Sequence, residues 1–213
     1  MQRLIEGVHK FQNREFGRYR ELFEKLSREG QSPQTLFITC SDSRVIAELI
    51  TQSKPGDLFV VKNVGNIVPP SRVVGSTNST AAAIEFAVEV LGVSDIVVCG
   101  HSQCGAMQAL LGGTPDAKKM PHLAEWLELA APVREVIGRN YNHLTDAEAR
   151  ATAAAEENVL FALENLRAYP CVTQKVAEEK LRLHAWFFKI ATAELFAYDP
   201  DAQQFAPLIA AKK

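Results

Sequence analysis

The stretch Thr35-Leu-Phe-Ile-Thr-Cys-Ser-Asp-Ser-Arg44 constrains this chain more than any other. Thr35 to Thr39 are apolar or β-branched without alternation, the pattern of a strand buried on both faces. That run stops at Cys40, and a carboxylate (Asp42) and a guanidinium (Arg44) follow at once. A second stretch repeats the design. Asp95-Ile-Val-Val-Cys99 reads as a buried strand running into a glycine turn, Gly100-His101-Ser-Gln-Cys104-Gly105. In open α/β sheets ligands bind beyond the carboxyl ends of strands. Both strands deliver soft ligands there: Cys40 from one, His101 and Cys104 from the other.

The remaining elements fit an α/β fold with a mostly parallel sheet covered by helices. From Leu4 to about Ser27, Ile5, Val8, Phe11, Phe16, Tyr19, Phe23 and Leu26 recur at roughly helical spacing, which predicts an amphipathic helical arm before the first strand. Its apolar face could dock on its own domain or on a second subunit; the spacing leaves both open. A short helix over Val45–Ile50 and a turn at Lys54-Pro-Gly-Asp57 lead to a second strand, Leu58–Val61. Val64–Gly75, rich in Gly and Pro, is expected to be an ordered loop over the strand ends, with Ser76 or Thr77 capping a helix Ser79–Leu91 closed by Gly92. The long connection to the third strand permits strand order 2-1-3, which sets Cys40 and His101 at a topological switch point. Helices are predicted from Gly105 to Leu111, from Pro121 to about Ile137, and to about Leu166 from a Thr145-x-x-Glu148 capping box, with another begun by Pro170. Leu181–Ile190 and Glu194–Tyr198 read as a closing hairpin, giving order 2-1-3-4 with an antiparallel edge strand. All 213 residues are expected in one domain, with 1–30 as a dimerisation arm.

Composition narrows the function. A formal net charge of -2 with no basic run argues against a nucleic-acid partner. No segment is apolar enough for a signal peptide or membrane span, so a cytoplasmic location is expected. Four cysteines (Cys40, Cys99, Cys104, Cys171) are too few for a disulfide scaffold, and in a reducing compartment a Cys/His group reads as metal-binding or catalytic. Two thiolates and an imidazole suit tetrahedral Zn²⁺. Three ligands leave a position open for catalysis, whereas a fourth would close a structural site; the nearest fourth, Cys99, lies inside a strand. Cys171 reads as structural, and His9, His122 and His143 have no partner motif. Asp42 and Arg44 favour the open site: a carboxylate fixed by a guanidinium can accept the hydrogen of an activated water and aim its lone pair.

Cys40-x-Asp42-x-Arg44 followed by His101-x-x-Cys104 resembles the β-class carbonic anhydrases. Gly56-Asp-Leu-Phe-Val60, Asn63-Val-Gly-Asn66, Pro69-Pro70 and Leu183-His-Ala-Trp186 extend the resemblance over nearly the whole chain. It implies one Zn²⁺ per chain on Cys40, His101 and Cys104, an Asp42–Arg44 dyad, reversible hydration of CO₂ to bicarbonate, and a homodimer or higher even-numbered oligomer. CS₂ or COS hydrolysis on the same fold, and a non-catalytic zinc scaffold, are the rival readings. The family's substrate pocket maps onto Gln31, reached across the dimer interface, and onto Phe59, Phe86 and Gly105. Phe86 replaces the usual Tyr, Lys62 the usual Arg, and Ala185 a frequent Gly. One branch of the family closes its site by swinging the Asp onto zinc, and uses a Trp and a Gly where this chain has Phe37 and Thr39. With Gln31, those residues imply the branch whose site stays open. The start, Met1-Gln-Arg-Leu-Ile-Glu-Gly7, resembles the cyanobacterial carboxysomal members, whose C-terminal extension has no counterpart before Lys213, so a carboxysomal location is the second expectation.

Overall fold

The computed structural model describes residues 1–71, 77–113 and 116–208. Its sheet has six strands in the order β2-β1-β3-β4-β5-β6: β1 Thr35–Cys40, β2 Leu58–Asn63, β3 Asp95–His101, β4 Arg182–Lys189, β5 Glu194–Asp199 and β6 Gln204–Pro207. The first four run parallel, with Cys40 level with Asn63 of β2 and Thr39 level with Cys99 of β3. β5 and β6 are antiparallel. The expected order therefore holds, but β5 is not the edge. β6 follows it, a four-residue strand too short and too interrupted by Pro207 to show a period in sequence.

One face of the sheet packs Leu36, Ile38, Ile96, Val98 and Ala185 against α4 (Ser79–Glu85), α8 (Ala147–Arg167) and α9 (Pro170–Ala177). A second cluster joins Cys40 and Cys104 to α5 (Gly105–Leu111), α6 (Pro121–Glu128), α7 (Ala131–Asn140) and α8. The opposite face carries a smaller core, Phe37, Val45, Ala47, Val97, Cys99 and Phe188, over the short helix α3 (Ala47–Thr51).

The N-terminal arm is helical from α1 (Gln2–Lys10) through a π-helical turn (Phe11–Glu15) to α2 (Phe16–Glu29). None of its residues is buried. Its foot rests on the domain where Leu26 meets Gly56; Phe11, Phe16 and Phe23 cluster with one another at 5.8–6.4 Å between ring centroids.

Several local expectations are corrected. Asn78, not Thr77, caps α4, its Oδ1 accepting from the Thr80 and Ala81 N–H groups; Ser76 lies outside the described residues. The second half of that helix, Phe86–Leu91, is π-helical and ends at Gly92 as expected. The helix from Pro121 breaks at Leu129-Ala130, because Pro132 cannot donate within a continuous helix and instead sits in the first turn of α7. Asp146 rather than Thr145 caps α8, with Oδ2 accepting from the Ala149 N–H at 2.7 Å; this leaves Glu148 free to point elsewhere. Gly100 is not in a turn: β3 continues through His101, paired with Phe188. A Cβ at Gly100 would meet Val159 Cγ2 at 2.7 Å and the Ala155 carbonyl at 3.1 Å. Glycine is needed there because α8 crosses the strand directly behind the histidine.

Candidate metal centre and active site

Cys40 closes β1, His101 closes β3, and Cys104 stands at the N-cap of α5. Adjacent parallel strands thus carry two of the groups to one edge. The Ser102-Gln103 turn, with Gln103 in the left-handed region (φ 56°), brings back the third. One donor atom from each lies within 4.8 Å of the others, and all three residues are buried. The His101 Nδ1–H donates to the Ser102 carbonyl at 2.9 Å, which fixes the tautomer and leaves Nε2 as a bare acceptor. That Nε2 is buried and has no hydrogen-bond partner among the described residues. An orphan of this kind costs ~1–3 kcal/mol unless something satisfies it.

The two thiols are pushed in opposite directions by their contact. The Cys40 thiol is pushed down to about 4, chiefly by the hydrogen bond from Cys104, against the effect of burial. The Cys104 thiol is pushed up, chiefly by that same bond and then by burial. A cation placed among them would favour a second thiolate in this enclosure. The Gly65 N–H adds a donor to Cys40 Sγ at 3.4 Å. Two thiolates and a neutral imidazole with a free lone pair are the donor set of tetrahedral zinc, so the residues fit the ion.

Beside this group, the Asp42 carboxylate is committed to Arg44 on both oxygens. The Arg44 Nε–H donates to Oδ1 at 3.0 Å, Nη2–H to Oδ2 at 2.8 Å, and the backbone N–H also to Oδ1 at 2.9 Å. The guanidinium's hydrogen bonds hold the Asp42 carboxyl well below the usual carboxylate range. Phe37 and Thr39 are buried in the sheet, Phe37 edge-on to Trp186 and the Thr39 hydroxyl donating to the Cys99 carbonyl at 2.9 Å. Cys99 is buried too, and desolvation pushes its thiol up to about 12. It behaves as a core residue.

The expected substrate residues are only partly brought together. Gly105 adjoins Cys104, and a Cβ there would meet nothing within 4 Å, so the space beside the ligand is open. Phe59 and Phe86 do meet, at 5.8 Å between centroids. However, Phe59 is level with Leu36, at the opposite end of β1 from Cys40. Gln31 is exposed before that same far end. Within one chain none of the three is carried to the metal group.

The sequence model of the family described as carbonic anhydrase matches residues 35–195. The chain belongs to that family. A carbonic anhydrase of Synechocystis sp. is 46% identical over 206 residues, covering 96% of this chain and 73% of its own length. One from Pseudomonas aeruginosa is 40% identical, covering 98% and 92%. Among solved structures, the β-carbonic anhydrase CcaA superposes with a TM-score of 0.92 at 43% identity, over 97% of this chain and 98% of that one. A tetrameric β-carbonic anhydrase of Sordaria macrospora gives 0.81 at 31%, over 92% and 95%. Fold and sequence together place the chain in the β class.

For a carbonic anhydrase chain, the groups that sequence reasoning missed are those holding the loops. Lys62 Nζ donates to the Asp42 and Val45 carbonyls at 3.1 and 2.7 Å, pinning the turn that presents Asp42. Gly65 (φ 79°) lets its N–H reach Cys40; a Cβ would lie 2.9 Å from Ala106 Cβ, and the Asn158 amide holds the Gly65 carbonyl at 2.9 Å. Asn63 bonds Ile67 in both directions, and the Trp126 indole N–H donates to the Val64 carbonyl at 2.7 Å. The departure from Arg at position 62 and the family match Asn63-Val-Gly-Asn66 were the hints in the sequence. The other partners lie up to 93 positions away.

Proposed function

We propose that this chain hydrates CO₂ reversibly to bicarbonate, with one Zn²⁺ held by Cys40, His101 and Cys104. The observation that carries this reading is the buried, unpartnered His101 Nε2, set against two thiols and next to a carboxylate whose orientation is fixed. Held by these three residues, zinc would supply the Lewis acidity that makes water a nucleophile near neutral pH. Asp42, ionised and acceptor-only, is oriented to accept a hydrogen bond from a water placed beside it and would so aim that water's lone pair at CO₂. Arg44 fixes the carboxylate and contributes positive charge where bicarbonate forms. Because its acid is held well below the usual range, Asp42 is a poor store for the released proton, which must pass to solvent or buffer. Phe37 and Thr39 supply no indole N–H and no extra space beside Cys40, consistent with a site that stays open.

We place Gln31, Phe59 and Phe86 in a site completed across a subunit boundary, with the apolar arm as the dimerising element. Exposure of Leu4, Ile5, Val8 and Phe11 supports this. The protein is proposed to be cytoplasmic, where its four free thiols stay reduced. Among the described residues no helix is long and apolar enough to cross a membrane. Stopped-flow CO₂ hydration tests the assignment: zinc-loaded protein should accelerate it, chelation should abolish the effect, and added zinc should restore it. Zinc-loaded protein with no acceleration would overturn the reading.

A further inference from the structure

The Arg44 side chain is 44% exposed, so packing alone does not decide where its guanidinium points. Its hydrogen bonds do. One edge of the fork is spent on Asp42; from the other, Nη1 donates to Gln103 Oε1 and Nη2 to the Gln103 carbonyl, both at 3.3 Å. The left-handed backbone at Gln103 makes that second contact possible. The far side of the same amide, Nε2, donates to Glu148 Oε1 at 3.2 Å. Arg44, Gln103 and Glu148, with Gln108 and Ala147, line one cavity of about 620 Å³ beside the dyad.

A carboxylate sharing a cavity with a guanidinium is a rival for it, because a bidentate pair of opposite charges adds a Coulomb attraction that a neutral amide lacks. Here the amide stands between them with its oxygen toward the cation and its N–H₂ toward the anion. The reverse orientation would set donor against donor and acceptor against acceptor. We propose that Gln103 is a positioning residue that insulates Arg44 from Glu148, so that the guanidinium stays on Asp42. Without the amide, Arg44 swings into the cavity to pair with Glu148, and Asp42 loses its orientation. The proposal rests on the reading of Asp42 and Arg44 as the dyad.

The test is a double-mutant cycle on the zinc-loaded protein, with metal content and melting temperature checked for every variant. Gln103→Ala should lower kcat by about tenfold or more, and Glu148→Ala by about threefold at most, while Gln103→Ala/Glu148→Ala should recover to within about threefold of Glu148→Ala. A contact that only supports the fold predicts the opposite: the second deletion adds to the first. Gln103→Gly, which keeps the left-handed backbone free of strain, serves if the alanine variant folds poorly. Its crystal structure should show Arg44 on the Glu148 carboxylate. A double variant no faster than Gln103→Ala, or a Gln103→Gly crystal with Arg44 still bidentate on Asp42, overturns the proposal. Asp42→Asn in the same assay separates the two levels: if it is slow, the dyad reading stands whatever Gln103 does; if it is fast, both fall.

Discussion

The metal centre and the N-terminal arm are opposite kinds of structure built from the same chain. At the centre nearly every polar group has a partner and the three ligand residues are buried, with His101 and Cys104 at 0% and 1% exposure. Along the arm nothing is buried, and Leu4, the most exposed large hydrophobic residue after Met1 among the described residues, stands at 68%. A helix this apolar on one side gains most of its stability from what it packs against, so the arm describes a surface waiting for its complement. The centre has the donors to hold an ion; the arm leaves its apolar side uncovered among the described residues.

That contrast can be broken at either end. The largest effect is expected at the ligands: Cys40→Ser, His101→Ala and Cys104→Ser should each lose zinc by elemental analysis, since two remaining donors bind far more weakly, whereas Cys99→Ser should keep it. Stoichiometric metal in any of the first three would show that the centre is assembled differently. Next comes Asp42→Asn, which should retain zinc but lose on the order of 10²-fold or more in kcat, the scale of removing one aligned electrostatic contact. The lowered Asp42 acid sets the pH behaviour. An acid whose folded value is depressed keeps its pair at every pH above that value, so the wild-type dyad should persist across the neutral range and fail only in strong acid. A crystal grown near neutral pH with an Asp42 oxygen ~2.0–2.2 Å from the metal would contradict this.

Removal of residues 1–27 sharpens the other side of the comparison. Sedimentation should show dissociation of the dimer, and activity should fall as Gln31 loses its place; an active, dimeric truncation would mean that the arm packs at home. The smallest effect is expected from Gly100→Ala. The added methyl collides with Val159 on α8, costing ~1–3 kcal/mol in a denaturant titration, with zinc content preserved.

How far the sequence could be read follows the same division. Cys40 and His101 were legible because each closes an apolar run, Cys104 because it follows His101 by three residues, and the Asp42–Arg44 pair because its partners are two residues apart. The order of the first four strands followed from connection lengths. Gly100 was misread as a turn because glycine's local meaning is a turn, while its reason here lies about 60 positions downstream on α8. The Thr145 box failed by one residue, since either Thr145 or Asp146 is a good cap and only the docking of α8 selects between them. Gln103 and Glu148 were invisible as a pair for the same reason: their contact spans 45 positions.

Helix α8 has a consequence for synthesis. It carries Val159 across Gly100, Asn158 to the Gly65 carbonyl, Asn165 to the Val68 carbonyl and Glu148 to Gln103. All three ligand residues leave the ribosome before any of these supports exists. A nascent chain that ends short of α8 exposes two thiols and an imidazole with nothing to fix their spacing. If those residues hold an ion, its stable capture would belong to the last third of translation, when α8 closes over the strands that were made first.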